Sequence, residues 1–307
     1  MNFVLRRILF FIPALLGVVI VTFIIGRLAP GDPFQQLIGL GVDNETIAEL
    51  RHHYGFDQPL WLQLFTYLGN LAQGDLGISF AKANMRVVDI IQMSIGPTLL
   101  VGVLSITLGS LMGVWFGLWS ALRRGKLADK VITAAVSFFG AMPGFVLSYF
   151  MIWGMAVGLK WLPPGGWGKP ENIIMPVIVA ALAPAAFVAR VCRSSMVEVL
   201  RQEYVTVARA KGLSPFHIMR WHVLKNGFIP VITVIGPLAG RSITGLFFVE
   251  RIFGIPGLTS LTIDSIPSRD YSVIQASTLM LATIFIIINL LVDILNTMID
   301  PRTRSIG

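Results

Sequence analysis

The chain has one cysteine and four histidines in 307 residues, and only 13% of it is Asp, Glu, Lys or Arg. A lone Cys192 cannot form an intramolecular disulfide. The four histidines, 52, 53, 217 and 222, have no ligand-like partner set, so no metal site and no redox centre are expected. A phosphate-binding loop of the form Gly-x-x-x-x-Gly-Lys-Ser/Thr is also missing. Its nearest approach, Gly125-Lys126, is followed by Leu127 and has Ser120 where the first glycine belongs. The sequence therefore predicts no bound cofactor and no ATPase site of its own. Positive charges flank apolar stretches and do not form one stripe, which argues against nucleic-acid binding. No internal repeat, low-complexity tract or second soluble domain is visible.

Apolar residues are in excess. They make up 55% of the chain, with a mean hydropathy of +0.76, more than a water-soluble domain can bury, so a bilayer is expected to be the main solvent. Stretches long enough to cross its hydrocarbon core run near Ile8 to Gly26, Thr98 to Leu122, Val131 to Leu159, Ile173 to Val188, Val231 to Val249 and Ile274 to Thr297. The fold expected is an all-α integral membrane protein with six transmembrane helices. Arg6-Arg7 ahead of the first stretch suggests a secretory signal. The apolar run is too long for one and lacks a small-x-small cleavage site, which favours a retained span. With the N-terminus inside, fifteen Lys and Arg residues fall in inner segments, against eight in outer ones that also hold eleven carboxylates. The positive-inside rule then puts both termini in the cytoplasm.

This divides the chain into residues 1–28 with the first span, an outer segment 29–96, a five-helix core 97–298 containing a long inner loop 190–230, and a tail 299–307. In the outer segment Asn44 can cap a helix that Gly55 ends, and Asp57-Gln58-Pro59 can start another that stops near Gly74. Gly109, Gly113 and Gly117, four apart, line one helix face with no side chains and invite close packing. Pro176 and Pro184 interrupt the fourth span, and Gly236-Pro237 and Gly240 the fifth. Trp161 and Trp167, around Pro163-Pro164-Gly165-Gly166, read as outer-interface anchors. Arg241 lies eleven residues beyond Pro230, some 16 Å along a helix at about 1.5 Å per residue. Charge at that depth usually faces a cavity, which makes Arg241 the candidate pathway residue, with an ion pair or snorkelling as the alternative. Asn289, Asp293, Asn296 and Asp300 share one face of the last helix and read as packing or boundary residues.

The inner loop has the most to say about function. Residues 203–220 run Glu-Tyr-Val-Thr-Val-Ala-Arg-Ala-Lys-Gly-Leu-Ser-Pro-Phe-His-Ile-Met-Arg. The stretch around Ala208 and Ala210 favours helix, Gly212 can take the left-handed conformation that ends one, and Ser214-Pro215 supplies an N-cap and first-turn proline for the next. The second helix is expected to be short and to offer Phe216, Ile218, Met219 and Trp221 among basic residues, more apolar surface than a free loop should carry.

Here the chain resembles the inner-membrane permease subunits of ATP-binding-cassette importers. Their loop signature reads Glu-Ala-Ala, three residues, Gly, nine residues, Ile-x-Leu-Pro. Gly212, Ala208 and Leu224 match it, whereas Thr206, Val207, His222 and Lys225 depart from it. The peptide, opine and nickel branch has its own version, and six ordered motifs follow it. These are Leu28-Ala29-Pro30-Gly31-Asp32-Pro33, Gly74-Asp75-Leu76-Gly77-Ile78-Ser79, Ala208-Arg209-Ala210-Lys211-Gly212, Glu250 to Leu258, Arg269-Asp270-Tyr271 and Asp300-Pro301-Arg302. Trp161-Leu162-Pro163 with Gly165-Gly166-Trp167 resembles oligopeptide (dipeptide) permease B-type subunits.

The resemblance implies a type I importer permease fold in a bacterial inner membrane. It also implies a homologous permease partner, two ATP-binding subunits using ATP and magnesium, and an extracytoplasmic solute-binding protein. Coupling to the ATPases would fall to Ala208, Arg209, Ala210, Lys211, Gly212, Leu213, Ser214, Pro215, Phe216, Ile218 and Met219. Peptides are the expected cargo, with nickel complexes, glutathione and opines open. An ion-coupled secondary transporter is disfavoured by the absence of a mid-span carboxylate and of inverted repeats. A membrane enzyme is disfavoured because the histidines split between the two faces.

Overall fold

The computed structural model describes residues 3–28, 42–53, 55–79, 81–82 and 85–299. The Leu28–Pro33 motif beyond its first residue, Asp300-Pro301-Arg302 and the tail lie outside them. Among the described residues every regular element is helical, and the single β-bridge pairs Ile78 with Arg86. Among the described residues four helices are long and apolar enough to cross a membrane, α1 (Phe3–Leu28, apolar from Leu9), α4 (Val87–Leu122), α7 (Glu171–Val199) and α13 (Tyr271–Ile299), and the number rises to as many as six if each of two bent helix pairs is one span. Large side chains such as Trp115, Phe138 and Trp153 stand exposed on them, as lipid-facing residues do. The chain divides into two compact units, Met1–Thr98 with Pro256–Ile284, and Leu99–Ile255 with Phe285–Gly307.

In the first unit, α2 (Asn44–His53) starts one residue earlier than the cap read from sequence implies. Asp43, not Asn44, accepts the Thr46 amide at 2.8 Å and the Thr46 hydroxyl at 2.8 Å. A carboxylate satisfies the free N–H of a first turn and suits its dipole better than an amide does. Those bonds hold the Asp43 carboxyl below its usual range. Helix α3 (Leu60–Ala72) begins after Pro59, and the chain turns at Gly74, φ +79°. Two sequence motifs then meet: the Ser79 hydroxyl donates to Asp270, and Asp270 also accepts the Val273 amide at the start of α13. Both side chains are buried. Thr98 accepts the Leu258 amide at 2.7 Å, which fixes the start of α12 (Leu258–Asp264).

In the second unit the glycine stripe of α4 packs on α7. A methyl on Gly113 would lie 2.6 Å from Val188 Cβ, and one on Gly117 2.6 Å from the Ala189 carbonyl. The third expected span is not one helix. Helix α5 (Leu127–Ala141) and α6 (Gly144–Met151, continued by a π-helical stretch Ile152–Gly158) meet at 102°. Pro143 explains the break: it forces Met142 into the extended region, ψ 132°, and has no N–H to carry the helix through. Pro176 and Pro184, by contrast, do not interrupt α7, which runs unbroken with both rings buried. The fifth expected span stops early, at the end of α10 (Ile229–Thr244). After Gly245 the chain forms α11 (Phe247–Phe253), which ends at Gly254, φ +66°. The Phe253 carbonyl accepts the Gly166 amide at 2.7 Å, so the Glu250 and Trp161 motifs also pack together. These motifs do structural work.

Candidate functional site

The expected elbow is present. Helix α8 (Glu203–Ala210) ends in Lys211, and Gly212 takes φ +78°. The Gly212 amide reaches the Arg209 carbonyl at 3.0 Å and the Leu213 amide the Ala208 carbonyl at 3.3 Å, the pair of bonds that closes a helix end on a left-handed glycine. No atom lies within 4 Å of where a Gly212 Cβ would sit, so the requirement for glycine there is conformational. Ser214 then caps α9 (Pro215–Ile218), its oxygen accepting the His217 amide at 3.3 Å, with Pro215 in the first turn.

The second arm differs from the short free helix expected. From α9 the chain continues through a π-helical stretch, Met219–Leu224, and a final turn, Lys225–Gly227, to meet α10 at a 44° bend. The arm is therefore mechanically joined to a candidate span.

Burial sorts the expected contact residues into two sets. Arg209, Ala210, Lys211, Gly212, Leu213, Ser214, Pro215 and Phe216 are exposed, Phe216 at 73%. Ala208 and Ile218 are not: they lie 5% and 4% exposed in a cluster with Cys192, Met196, Val205 and Val223, and Met219 packs partly against it. Ile218 therefore faces the chain's own core and not a partner. The helical spacing explains this, because Ile218 lies two residues from Phe216 and so on the opposite side of the turn. Tyr204, Val207 and Trp221 join the exposed apolar surface, 40%, 51% and 55% exposed. Tyr204 and Val207 precede the glycine and lie outside the expected contact set.

What holds the elbow to the bundle was not legible in the sequence. The Ser195 hydroxyl donates to the Gly227 carbonyl at 2.9 Å, and Gly227 lies against Met196 so closely that a Cβ would be 2.5 Å from its sulfur. Asn226 donates to the Tyr204 hydroxyl at 3.2 Å, joining the two arms. On the same helix as Ser195, Arg193 grips Asp129 with both forks, Nε to Oδ1 at 2.7 Å and the terminal nitrogen to Oδ2 at 2.8 Å. Ser120 and the Gly125 amide complete the carboxylate's bonding. Arg193 reads from sequence as one of seven inner-loop charges, and nothing in linear spacing points to a partner 64 residues away.

The candidate pathway residue Arg241 lies exposed in the last turn of α10, beside Gly240, whose Cβ position faces Phe285 and Asn289 of α13. Asn289 turns its amide onto the Phe285 carbonyl at 2.8 Å, a packing role. Among the described residues no group of three or more His, Cys, Asp or Glu could hold a metal ion.

Comparison with known proteins gives this geometry its context. Residues 113–305 match the model for the inner membrane component of binding-protein-dependent transport systems, and residues 1–99 match that for the N-terminal part of such membrane components. The chain is 36% identical to the dipeptide transport system permease protein DppB of Lactococcus lactis over 304 residues, 99% of each protein. It is 37% identical to the glutathione transport system permease protein GsiC of Shigella flexneri over 305 residues, again 99% of each. Among solved structures it resembles the MetNI methionine transporter in an inward-facing conformation, with a TM-score of 0.56 at 17% identity over 69% of this chain and 97% of that one. It also resembles an amino acid transporter solved with histidines, with a TM-score of 0.53 at 18% identity over 70% of this chain and 94% of that one. At such identities the two structures establish the fold.

Proposed function

The chain belongs to the family of inner membrane components of binding-protein-dependent transport systems, and on that premise we propose that it is a permease subunit of an ATP-binding-cassette importer for peptides. One observation carries the reading: an elbow built on Gly212 and Ser214 exposes Leu213, Phe216 and Trp221 while burying Ala208 and Ile218 in a core shared with α7. A separate ATPase closing on the exposed face would move the buried one, and with it α7 and α10. The chain's own sequence lacks a phosphate loop, so two ATP-binding subunits, with their ATP and magnesium, are the natural source of that motion. A homologous permease would complete the pathway and an extracytoplasmic binding protein would deliver cargo.

In this reading six spans cross the membrane, α5 with α6 counting as one and α10 without the elbow arm as another, and both termini lie in the cytoplasm. Alternating access exposes the pathway to each side in turn. Arg241, exposed in the last turn of α10, meets the cargo carboxylate. Dipeptides and short oligopeptides are the cargo the relatives' names favour. Glutathione is itself a tripeptide, so a glutathione permease among the relatives falls within the same chemistry.

The test is ATP-dependent uptake of a labelled dipeptide by the assembled complex in liposomes. Phe216→Glu should abolish both uptake and co-purification of the ATPase subunits, while Arg241→Met should reduce uptake and leave co-purification intact. Retention of both activities in Phe216→Glu would sink the coupling assignment. Failure of any peptide to stimulate ATP hydrolysis, with a nickel complex or opine doing so, would move the cargo.

A further inference from the structure

Helix α3 has no charged residue among its 13 positions, although it belongs to none of the candidate spans. Its neighbour α2 exposes Glu45, Glu49 and Arg51, as a helix in water does. At about 100° per residue, Leu60, Trp61, Leu64, Phe65 and Leu68 share one side of α3, and Gln63, Thr66 and Asn70 share the other. In a water-soluble fold the apolar side would face inward. Here it faces out: Trp61 and Phe65 are 62% and 66% exposed, and Leu60 is exposed as well. Gln63, on the polar side, is buried and donates its amide to the Phe56 carbonyl at 3.3 Å and the Gln58 carbonyl at 2.7 Å.

The helix that α3 packs on indicates what covers this side. Phe23 of α1 stacks on Tyr67 of α3, ring centroids 6.0 Å apart. The apolar part of α1, Leu9–Leu28, has 20 residues and measures about 30 Å at about 1.5 Å per residue, the thickness of one hydrocarbon core. Its last turn, where Ile24, Ile25 and Leu28 are exposed, therefore reaches the edge of that core. A groove of about 140 Å³ joins this turn to α3, with Ile24 and Leu28 on one side and Leu60, Trp61 and Leu64 on the other. Arg27 also lines it, through carbon alone, so no polar surface opens into the groove. Water there would gain no hydrogen bond. The lipid-facing surface of α1 thus continues onto α3, at a depth where tryptophan is favoured. A protein docked on this side would need a polar rim around the apolar centre, and α3 has no charge to supply one. We propose that α3 lies in the interfacial layer of the bilayer, in the leaflet at the C-terminal end of α1, with Trp61 and Phe65 among the acyl chains and one phospholipid chain in the groove.

The assignment rests on α1 being a span and not on the identity of any cargo. It is tested on the assembled complex in phospholipid liposomes, with a nitroxide carried on a ketone amino acid at position 25, 49, 61 or 65, which leaves Cys192 untouched. Collisions with oxygen, which partitions into lipid, should exceed those with a water-soluble nickel chelate severalfold at 61 and 65, as at position 25 of α1. Position 49 of α2 should show the reverse. A phospholipid with a diazirine in its acyl chain should label the peptide holding Leu60 to Phe65 and leave the one holding Asn44 to Glu49 unlabelled. Phe65→Asp should lower the unfolding temperature in liposomes by several degrees, whereas Thr66→Asp, on the polar side, should leave it unchanged. Chelate access at 61 and 65 equal to that at 49 would place α3 in water and overturn the proposal. Exclusion of both reagents there would mean that a protein surface covers α3, and it too overturns the proposal, as does an α3 that the diazirine lipid never labels.

Discussion

Arg193 and Arg27 are both partly buried guanidiniums, and they live under opposite conditions. Arg193 has a bidentate carboxylate, and that carboxylate is completed by Ser120 and a backbone amide. Arg27 has two aromatic rings beside it and an Nε with no acceptor among the described residues. The first arrangement is closed, so removing any member leaves the others stranded. The second is open, and stability alone gives no reason to keep it. The elbow falls on the open side as well: Phe216 is largely exposed, with Leu213 and Trp221 exposed near it. The difference suggests that groups whose bonding is complete hold the permease together, and that groups whose bonding is incomplete are where it meets something else.

The largest effect should come from opening the closed site. Asp129→Ala strands Arg193 and should cost about 3 kcal/mol, seen as a lower unfolding temperature in nanodiscs. Adding Arg193→Met should restore much of the loss, since a double apolar replacement leaves no buried charge behind. An unchanged melting temperature in Asp129→Ala would break the comparison. Next, Gly113→Val drives a branched side chain into Val188 and the Ala185 carbonyl, and should cost about 2 kcal/mol by overpacking the α4–α7 seam.

Changes on the open side should cost less. Gly212→Ala meets no atom, so only the left-handed backbone is penalised, at about 1 kcal/mol. Phe216→Glu should stay within about 0.5 kcal/mol of wild type in stability, which separates loss of coupling from loss of fold.

The smallest effect concerns His52 and Asp57, which pair at 2.6 Å on the surface between α2 and α3. The hydrogen bond and charge of Asp57 raise the His52 pKa, and the bond to His52 lowers that of Asp57. A raised histidine pKa contributes stability that is complete below the unfolded value and fades as pH rises through the folded one. A lowered carboxyl pKa contributes stability that is present above the unfolded value and fades as pH falls through the folded one. The contact should therefore be firmest between about pH 4 and 6.5. Histidine titration by NMR checks this, and Asp57→Asn should return His52 toward its ordinary pKa.

Hydropathy made the helical class and the position of each apolar stretch legible, because lipid demands long apolar helices and little else does. The elbow was equally readable, since Gly212, Ser214 and Pro215 act locally. Where the reading failed, a local signal was outweighed or a distant partner decided the outcome. Pro143 broke a span while Pro176 and Pro184 did not, though all three remove an N–H. Only the surrounding packing distinguishes them, and it buries the two α7 rings. Ile218 reads as exposed when the arm is imagined free and becomes core once the arm continues into α10. Arg193 and Asp129 are brought together by tertiary structure, which linear spacing does not encode.

The central claim, that the elbow's exposed face is where an ATPase grips this chain, is tested most directly by a photo-crosslinking amino acid at position 216 in the assembled, transport-competent complex. The account predicts an adduct with an ATP-binding subunit from position 216. From position 153, exposed but on α6's π-helical continuation, it predicts none. A complex that transports cargo yet gives no ATPase adduct from position 216 would contradict it.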